Sequence, residues 1–309
     1  MFSPQTIIEI LADNVRKTRN PFGLNKSGLS GWAKNSNVSR EGETLLFTGL
    51  MYQLVPYIKA TTRYLEQYED SPKADYLRYG KLVPKPLVNL GLNLISSKKD
   101  KKDFNTILRN IVKILQSSGV SFGYQPELDE YSGVLLYDMG DQAGFVEHAT
   151  YVANKLQDAG IRKLITVDPH TTYAVKVLYP KYTGITFEVQ TYFELARLKG
   201  GDSTSEITLH DPCFYGRYLE LTDGPKNLLT GLGVNCKPIN TSGTFTTCCG
   251  GPAESISPKL AEEVGRRRVA ELKATGGPMV TMCPICLANL QKAGAEVEDL
   301  ASVLVQFAS

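Results

Sequence analysis

PMVTMCPICLA, residues 278–288, is an apolar run that ends in the step Cys283-Pro284-Ile285-Cys286 and reads as the end of a strand passing into a helix. The same pattern occurs earlier as KLITVDPHTTY, residues 163–173, where Thr166 matches Thr281, Pro169 matches Pro284, and Asp168 and Thr171 stand where Cys283 and Cys286 do. Two further matches follow in the same order. Asp138-Met139-Gly140 lies opposite Cys248-Cys249-Gly250, and LFTGLMYQL (46–54) lies opposite LHDPCFYGR (209–217), with Leu50 facing Cys213. Three ordered matches point to an internal duplication, whose first copy keeps the backbone signals and has lost every cysteine.

Short apolar runs alternate with longer amphipathic stretches along the chain, which indicates an α/β fold: two related repeats, each a small, largely parallel sheet flanked by helices. Strands are expected at Thr44–Phe47, Val134–Tyr137, Lys163–Val167, Glu206–Leu209 and Met279–Met282. Helices are expected at Val55–Glu69, Asp103–Ser117, Phe145–Ala159, Pro225–Gly231 and Pro258–Ala274. The last of these has Ser257 as N-cap, Pro258 at its first position and Gly276 just past its end. The organisation read from these signals is an N-terminal helix and linker over residues 1–40, a cysteine-free repeat over 41–200 and a cysteine-bearing repeat over 201–309. Within the first repeat the polar, lysine-rich stretch at about 66–102, with SSKKDKKD at its extreme, reads as a surface insertion. The segment KGGDSTS (199–205) reads as the second boundary.

The chain has 309 residues, 42% of them hydrophobic and 21% charged, with a formal charge of +2. Such a composition describes an ordinary globular protein able to bury a sizeable core, with no basic excess to imply a nucleic-acid partner. The N-terminal stretch carries acidic residues inside its apolar run and lacks the uninterrupted core of a secretory signal, so it reads as cytoplasmic sequence. LVPKPLVNLGLNLI (82–95) is too short and too interrupted to span a bilayer. It reads as a surface helix or loop packed on a partner, with peripheral membrane contact as the alternative.

Five of the six cysteines follow the pattern C-x34-CC-x33-CxxC: Cys213, Cys248, Cys249, Cys283 and Cys286. In a reducing cytoplasm such clustering favours metal ligation or redox chemistry over structural disulfides. Thiolates are soft ligands that select iron–sulfur clusters, zinc or copper(I). Cys283 and Cys286 can turn both sulfurs to one centre at a helix N-terminus, which favours thiolate. Adjacent cysteines diverge in extended chain and chelate a single ion poorly, whereas a cluster of several irons can use both. Gly250 and Gly251 allow close approach of a bulky group. Five ligands exceed the four of a structural zinc site, and a thioredoxin-like dithiol at Cys283 and Cys286 leaves the Cys248–Cys249 pair unexplained. Cys236, in LGVNCKPIN, stands outside the array and reads as a small core hydrophobe.

HDPCFYGR, CCG and VTMCPIC together resemble the cysteine-rich (CCG) domain of the B-type subunit of heterodisulfide reductase and its relatives. Those relatives include iron–sulfur subunits of anaerobic glycerol-3-phosphate dehydrogenase, lactate-utilisation proteins and an archaeal type of succinate dehydrogenase subunit. The likeness runs from about Asn20, where NPFGLNKSGLSGW looks like the linker after a ferredoxin-like portion. The resemblance implies one [4Fe–4S] cluster per chain, of the noncubane kind, with Cys213, Cys248, Cys249, Cys283 and Cys286 as its ligands. It also implies partner subunits carrying ferredoxin-like iron–sulfur clusters and flavin, and a small thiol or disulfide, or protein-bound sulfur, as substrate. The cysteine-free repeat departs from the reductase, in which two such domains flank the disulfide.

The function expected on this basis is an iron–sulfur redox subunit of a heterodisulfide reductase-like complex, supporting disulfide reduction or thiol oxidation. Two alternatives stand beside it: an electron-transfer or anchoring subunit of a quinone-linked dehydrogenase, and a structural zinc protein. His210, three residues before Cys213, is placed to hydrogen-bond a sulfur or to pass a proton to a departing thiolate, with a structural histidine as the plain alternative. Tyr215 and Arg217 are placed to line the same pocket. Asp138, Asp168 and His170 have no ligand spacing that supports a second metal site. His148 reads as helix surface, and Arg266, Arg267 and Arg268 read as a solvated run able to attract an anion.

Overall fold

Leu45, Leu46 and Phe47 are all buried, a continuous apolar run of the kind that parallel sheets covered on both faces require. The computed structural model describes residues 4–34, 36–68, 71, 83–200, 204–254 and 257–308. In it β1 (Thr44–Phe47), β2 (Lys163–Thr166) and β3 (Glu188–Thr191) form a three-stranded sheet in the order β1-β2-β3. A second sheet holds β4 (Ser205–His210), β5 (Val234–Cys236), β6 (Met279–Thr281) and β7 (Val297–Asp299) in the order β5-β4-β6-β7. All pairings between these strands are parallel. The fold is therefore α/β with small parallel sheets flanked by helices. The run β1-β2-β3 repeats the run β4-β6-β7, and β5 is the added edge of the second sheet.

The flanking helices follow from local chemistry. Ser257 accepts a hydrogen bond from the Leu260 N–H at 3.3 Å, Pro258 occupies the first position of helix Pro258–Lys273, and Gly276 follows at φ +72°. Ser97 likewise accepts from the Asp100 N–H and opens helix Lys98–Ser117, which buries Phe104, Ile107, Leu108, Ile111, Val112, Ile114 and Leu115. The lysine-rich run opens a helix whose later turns join the core: its charges stay on the wet side while the residues beyond them carry the apolar stripe. Of the expected insertion, residues 69, 70 and 72–82 lie outside the described residues, as do Gly201–Ser203 of the expected boundary.

Val134–Asp138 is helical, against the strand expected there. Gly133 at φ +84° turns the chain, and the Tyr131 hydroxyl accepts from the Leu135 N–H at 2.8 Å. The outer edge of β1 has no room for another strand, because Leu46 N–H already donates to the Gly123 carbonyl and Gly123 N–H to that of Thr44. An apolar run this short fits either state, and pairing decides. His148 is also not at the surface. It is 1% exposed, its Nε2 lies 2.7 Å from the Tyr131 carbonyl, and burial lowers its pKa.

The two sheets bring their C-terminal ends together. The Tyr52 hydroxyl, beyond β1, donates to Asp299 Oδ2 at the end of β7 at 2.7 Å. Thr172, beyond β2, lies 3.3 Å from the hydroxyl of Tyr215, beyond β4. Loops after strand C-termini are where parallel sheets place their ligands, so the fold sets two such edges face to face. Helix Lys85–Ile95 packs on the core through Leu92 and accepts from the Tyr57 hydroxyl at Asn93, but leaves Leu87, Leu90, Leu94 and Ile95 exposed. No helix among the described residues is long and apolar enough to cross a membrane.

Candidate metal centre

Cys213 follows β4 through His210-Asp211-Pro212 and begins a π-helical turn over Phe214–Tyr218. Gly216 in that turn passes so close to the Gly243 carbonyl that no Cβ could be accommodated. The Asp211 carboxylate accepts from Gly243 N–H at 2.8 Å and from Lys226 Nζ at 3.1 Å, while its carbonyl accepts from the Thr246 hydroxyl at 2.7 Å. Arg217 donates to the Thr246 carbonyl. These bonds lash the segment before Cys248 to the segment holding Cys213 and so close a gap of 34 residues.

The adjacent pair turns on Gly250, at φ +93°, whose N–H donates to Cys248 Sγ at 3.3 Å. A side chain at 250 would meet the Ala261 carbonyl, and one at 251 would meet Ile285 at 2.6 Å and lie 3.6 Å from Cys249 Sγ. The two glycines therefore let the loop reach both helix Pro258–Lys273 and the Cys283–Cys286 turn. Cys283 is the N-cap of helix Pro284–Lys292, its sulfur accepting from the Cys286 N–H at 3.5 Å.

All five expected sulfurs come together. Cys213 lies beside Cys248, Cys248 beside Cys249, Cys249 beside Cys286 and Cys286 beside Cys283, each near enough to shift its neighbour's ionisation. Cys249, Cys283 and Cys286 are buried, whereas Cys213 and Cys248 are half-buried and form the open end. Cys236, on β5, is not in this run of contacts and packs at the margin of the core.

Hydrogen bonding divides the thiols. Donation from Cys213 and Cys249, with the Gly250 N–H, holds Cys248 far below the ordinary thiol range. Burial opposes ionisation of Cys283, but Cys286 and His170 outweigh it and bring that pKa to about 6. The donors themselves are pushed up: Cys213 and Cys249 by Cys248, and Cys286 by Cys249 and Cys283. The donor set fits a thiolate-bound polynuclear centre, with contacting soft ligands, partial ionisation and glycines where bulk would intrude. Among the described residues no three His, Cys, Asp or Glu side chains are disposed to hold a single ion.

His210 ends β4, 1% exposed, with Nδ1 accepting from Arg268 Nε at 3.0 Å. Its Nε2 therefore carries the proton and has no hydrogen-bond partner among the described residues. Burial and the Arg268 charge lower its pKa to about 3, so it stays neutral at physiological pH. Arg268 itself corrects the reading of the arginine run. Arg266 and Arg267 are exposed and pair with Glu262 and Glu263, but Arg268 is fully buried and also bonds Thr241 and Glu271. The helix turns each successive arginine by about 100°, and the third points inward.

Tyr215 is buried and packs edge-on against Phe193. Arg217 is spent on the loop. A sixth residue, absent from the expected ligand set, reaches the array from the cysteine-free half: His170 Nδ1 lies 3.8 Å from Cys283 Sγ. The signal in the sequence was its place beside Asp168 in the repeat, on a turn matching the Cys283–Cys286 step.

Residues 207–291 match the cysteine-rich domain family, CCG. Over 310 aligned residues the chain is 25% identical to the EtfAB:quinone oxidoreductase of Syntrophomonas wolfei, covering 94% of this chain and 38% of that protein. It is 30% identical to the "Probable iron-sulfur-binding oxidoreductase FadF" of Bacillus subtilis over 195 residues, 59% of this chain and 27% of the relative. It is 28% identical to the D-type subunit of the dihydromethanophenazine:CoB--CoM heterodisulfide reductase of Methanosarcina barkeri over 220 residues, 63% of this chain and 53% of the relative. The chain thus spans from about a quarter to about a half of the length of these relatives, and it carries a CCG cysteine-rich domain.

Proposed function

We propose that this chain is an iron–sulfur oxidoreductase subunit that holds one [4Fe–4S] cluster, of the noncubane kind, on Cys213, Cys248, Cys249, Cys283 and Cys286. The observation that carries the reading is the unbroken run of contacts among these five sulfurs inside a matched cysteine-rich domain. When bound, the cluster supplies one-electron chemistry and an iron position able to take a sulfur ligand. The protein's own residues set its conditions. Cys249, Cys283 and Cys286 anchor it in a dry interior, and Cys213 and Cys248 hold the end that a small thiol or disulfide can approach. His210, kept neutral, has an Nε2–H that no described residue takes and that is free for a group bound beside Cys213. Reduction of a disulfide, or the reverse oxidation of thiols, in a heterodisulfide reductase-like complex is the activity this favours, with electrons exchanged through ferredoxin-like and flavin-bearing partners.

A second reading, an electron-transfer or anchoring subunit of a quinone-linked dehydrogenase, draws on the exposed leucines of helix Lys85–Ile95 and on the relative aligned over 94% of this chain. Anaerobically purified protein is expected to hold about four irons with matching acid-labile sulfide. Zinc alone overturns the proposal. A loaded protein whose paramagnetic resonance spectrum changes on titration with thiols and disulfides supports direct sulfur binding. An unchanged spectrum at saturation leaves the relay reading in its place.

A further inference from the structure

The cysteine-free half packs against the array, Cys213 and Ile285 lying on its core, and brings a polar side chain to it at His170. His170 begins the turn after β2, where Asp168 caps helix Pro169–Tyr173 by accepting from the His170 and Thr171 N–H groups at 2.9 and 3.0 Å. The imidazole lies against the Phe214 ring, centroids 4.7 Å apart, and Phe214 is the neighbour of Cys213. The ring is thus held between the two halves. Its Nδ1 faces two atoms, Cys283 Sγ at 3.8 Å and Asp168 Oδ1 at 3.5 Å. A metal-bound thiolate and a carboxylate both only accept, so Nδ1 must carry a proton whichever state the ring is in. Asp168 Oδ1 already takes two backbone N–H groups, which leaves the sulfur as the open acceptor. In the second repeat the matching position is Ile285, which has nothing to donate.

We infer that the Nδ1–H of His170 is a hydrogen-bond donor to the Cys283 sulfur, by which the cysteine-free half positions one ligand of the cluster and raises the cluster's reduction potential. The inference rests on the cluster reading given above. A hydrogen bond to a ligating sulfur stabilises the electron-rich reduced cluster more than the oxidised one, and such outer contacts are among the levers that set potential. His170 is accordingly a positioning residue and touches no substrate.

Two substitutions separate donation from packing. His170→Phe keeps a ring against Phe214 and removes the donor. His170→Asn loses the ring and places an amide N–H about where Nδ1 stands. Each full chain is loaded anaerobically with iron and sulfide, assayed for both, and titrated potentiometrically by paramagnetic resonance. His170→Phe is expected to keep its iron while its reduced-to-oxidised ratio at the wild-type midpoint falls about tenfold, ~59 mV for a one-electron couple. His170→Asn is expected to remain near wild type. Loss of iron from the Phe variant alone also supports the contact, as a donor needed for assembly. An unmoved potential in His170→Phe, or equal effects of both substitutions, overturns the inference and leaves the cluster reading intact. Wild-type protein without iron and sulfide overturns both.

Discussion

Asp168 and Cys283 occupy the same place in two repeats, the N-cap of a helix that follows the middle strand and begins with proline. Asp168 accepts two backbone N–H groups at 2.9 and 3.0 Å, and Cys283 accepts one at 3.5 Å. Asp168 uses Oδ1 on the helix and leaves Oδ2 without a hydrogen-bond partner among the described residues, while sulfur is the poorer cap. The parallel continues along both halves. Gly140 and Gly250 turn the chain at φ +83° and +93° ahead of helices Gln142–Asp158 and Pro258–Lys273, whereas the parallel breaks at Leu50, whose φ is +60° where that of Cys213 is −58°. Thr191 and Asp299 cap the turns after the last strands. The two halves thus share the capped helix after the middle strand and the glycine turn, and the cysteines stand in one of them alone.

The sharpest way to break this contrast is to make the live half resemble the vacant one. Cys283→Asp is expected to keep the helix start, and hence a wild-type circular dichroism spectrum, while iron and sulfide analysis finds the cluster lost. Retained iron would show that Cys283 is not a ligand. A smaller effect separates the two glycines. Gly250→Ala combines left-handed strain with collision against Ala261 and is expected to cost about 3 kcal/mol or more, whereas Gly140→Ala meets nothing within 4 Å and carries only the strain, about 1–2 kcal/mol. Urea unfolding measures both, and equal losses would undo the claim that the live loop is the more tightly packed.

A last contrast lies in pH. Cys213, Cys249 and Cys286 keep their protons above the ordinary thiol range, so ligation must expel them. Iron uptake is therefore expected to strengthen as pH rises and to weaken as it falls, by about tenfold per pH unit for each proton released. Equilibrium iron binding between about pH 6.5 and 8.5 tests this, and a flat profile would mean that the thiols are already ionised.

The strands that bear the motifs were legible as apolar runs with their caps, because Thr44–Phe47, Lys163–Thr166 and Met279–Thr281 end in capping residues, turns or proline. The strands β3, β5 and β7 were not: each mixes buried and exposed positions within three or four residues, too short an alternation to stand out where β1, β2 and β6 are near-continuous apolar runs. Val134–Asp138 failed for the complementary reason: its apolar run was visible, but its lack of a strand partner was not. His148 and Arg268 looked like surface because their residue types usually are. Only the packing around Tyr131 in one case and His210 in the other provides the bonds that permit their burial.

By itself the sequence determined an α/β chain with short parallel strands and named five sulfurs as one set, since spacing and caps are local properties of the chain. The tertiary structure alone decided that the two sheets meet at their C-terminal ends, and so that His170 stands beside Cys283 although the two are 113 residues apart. No local pattern encodes that approach, because it results from the burial of two apolar faces against each other and from bonds such as Tyr52 to Asp299 that close only once both halves are folded.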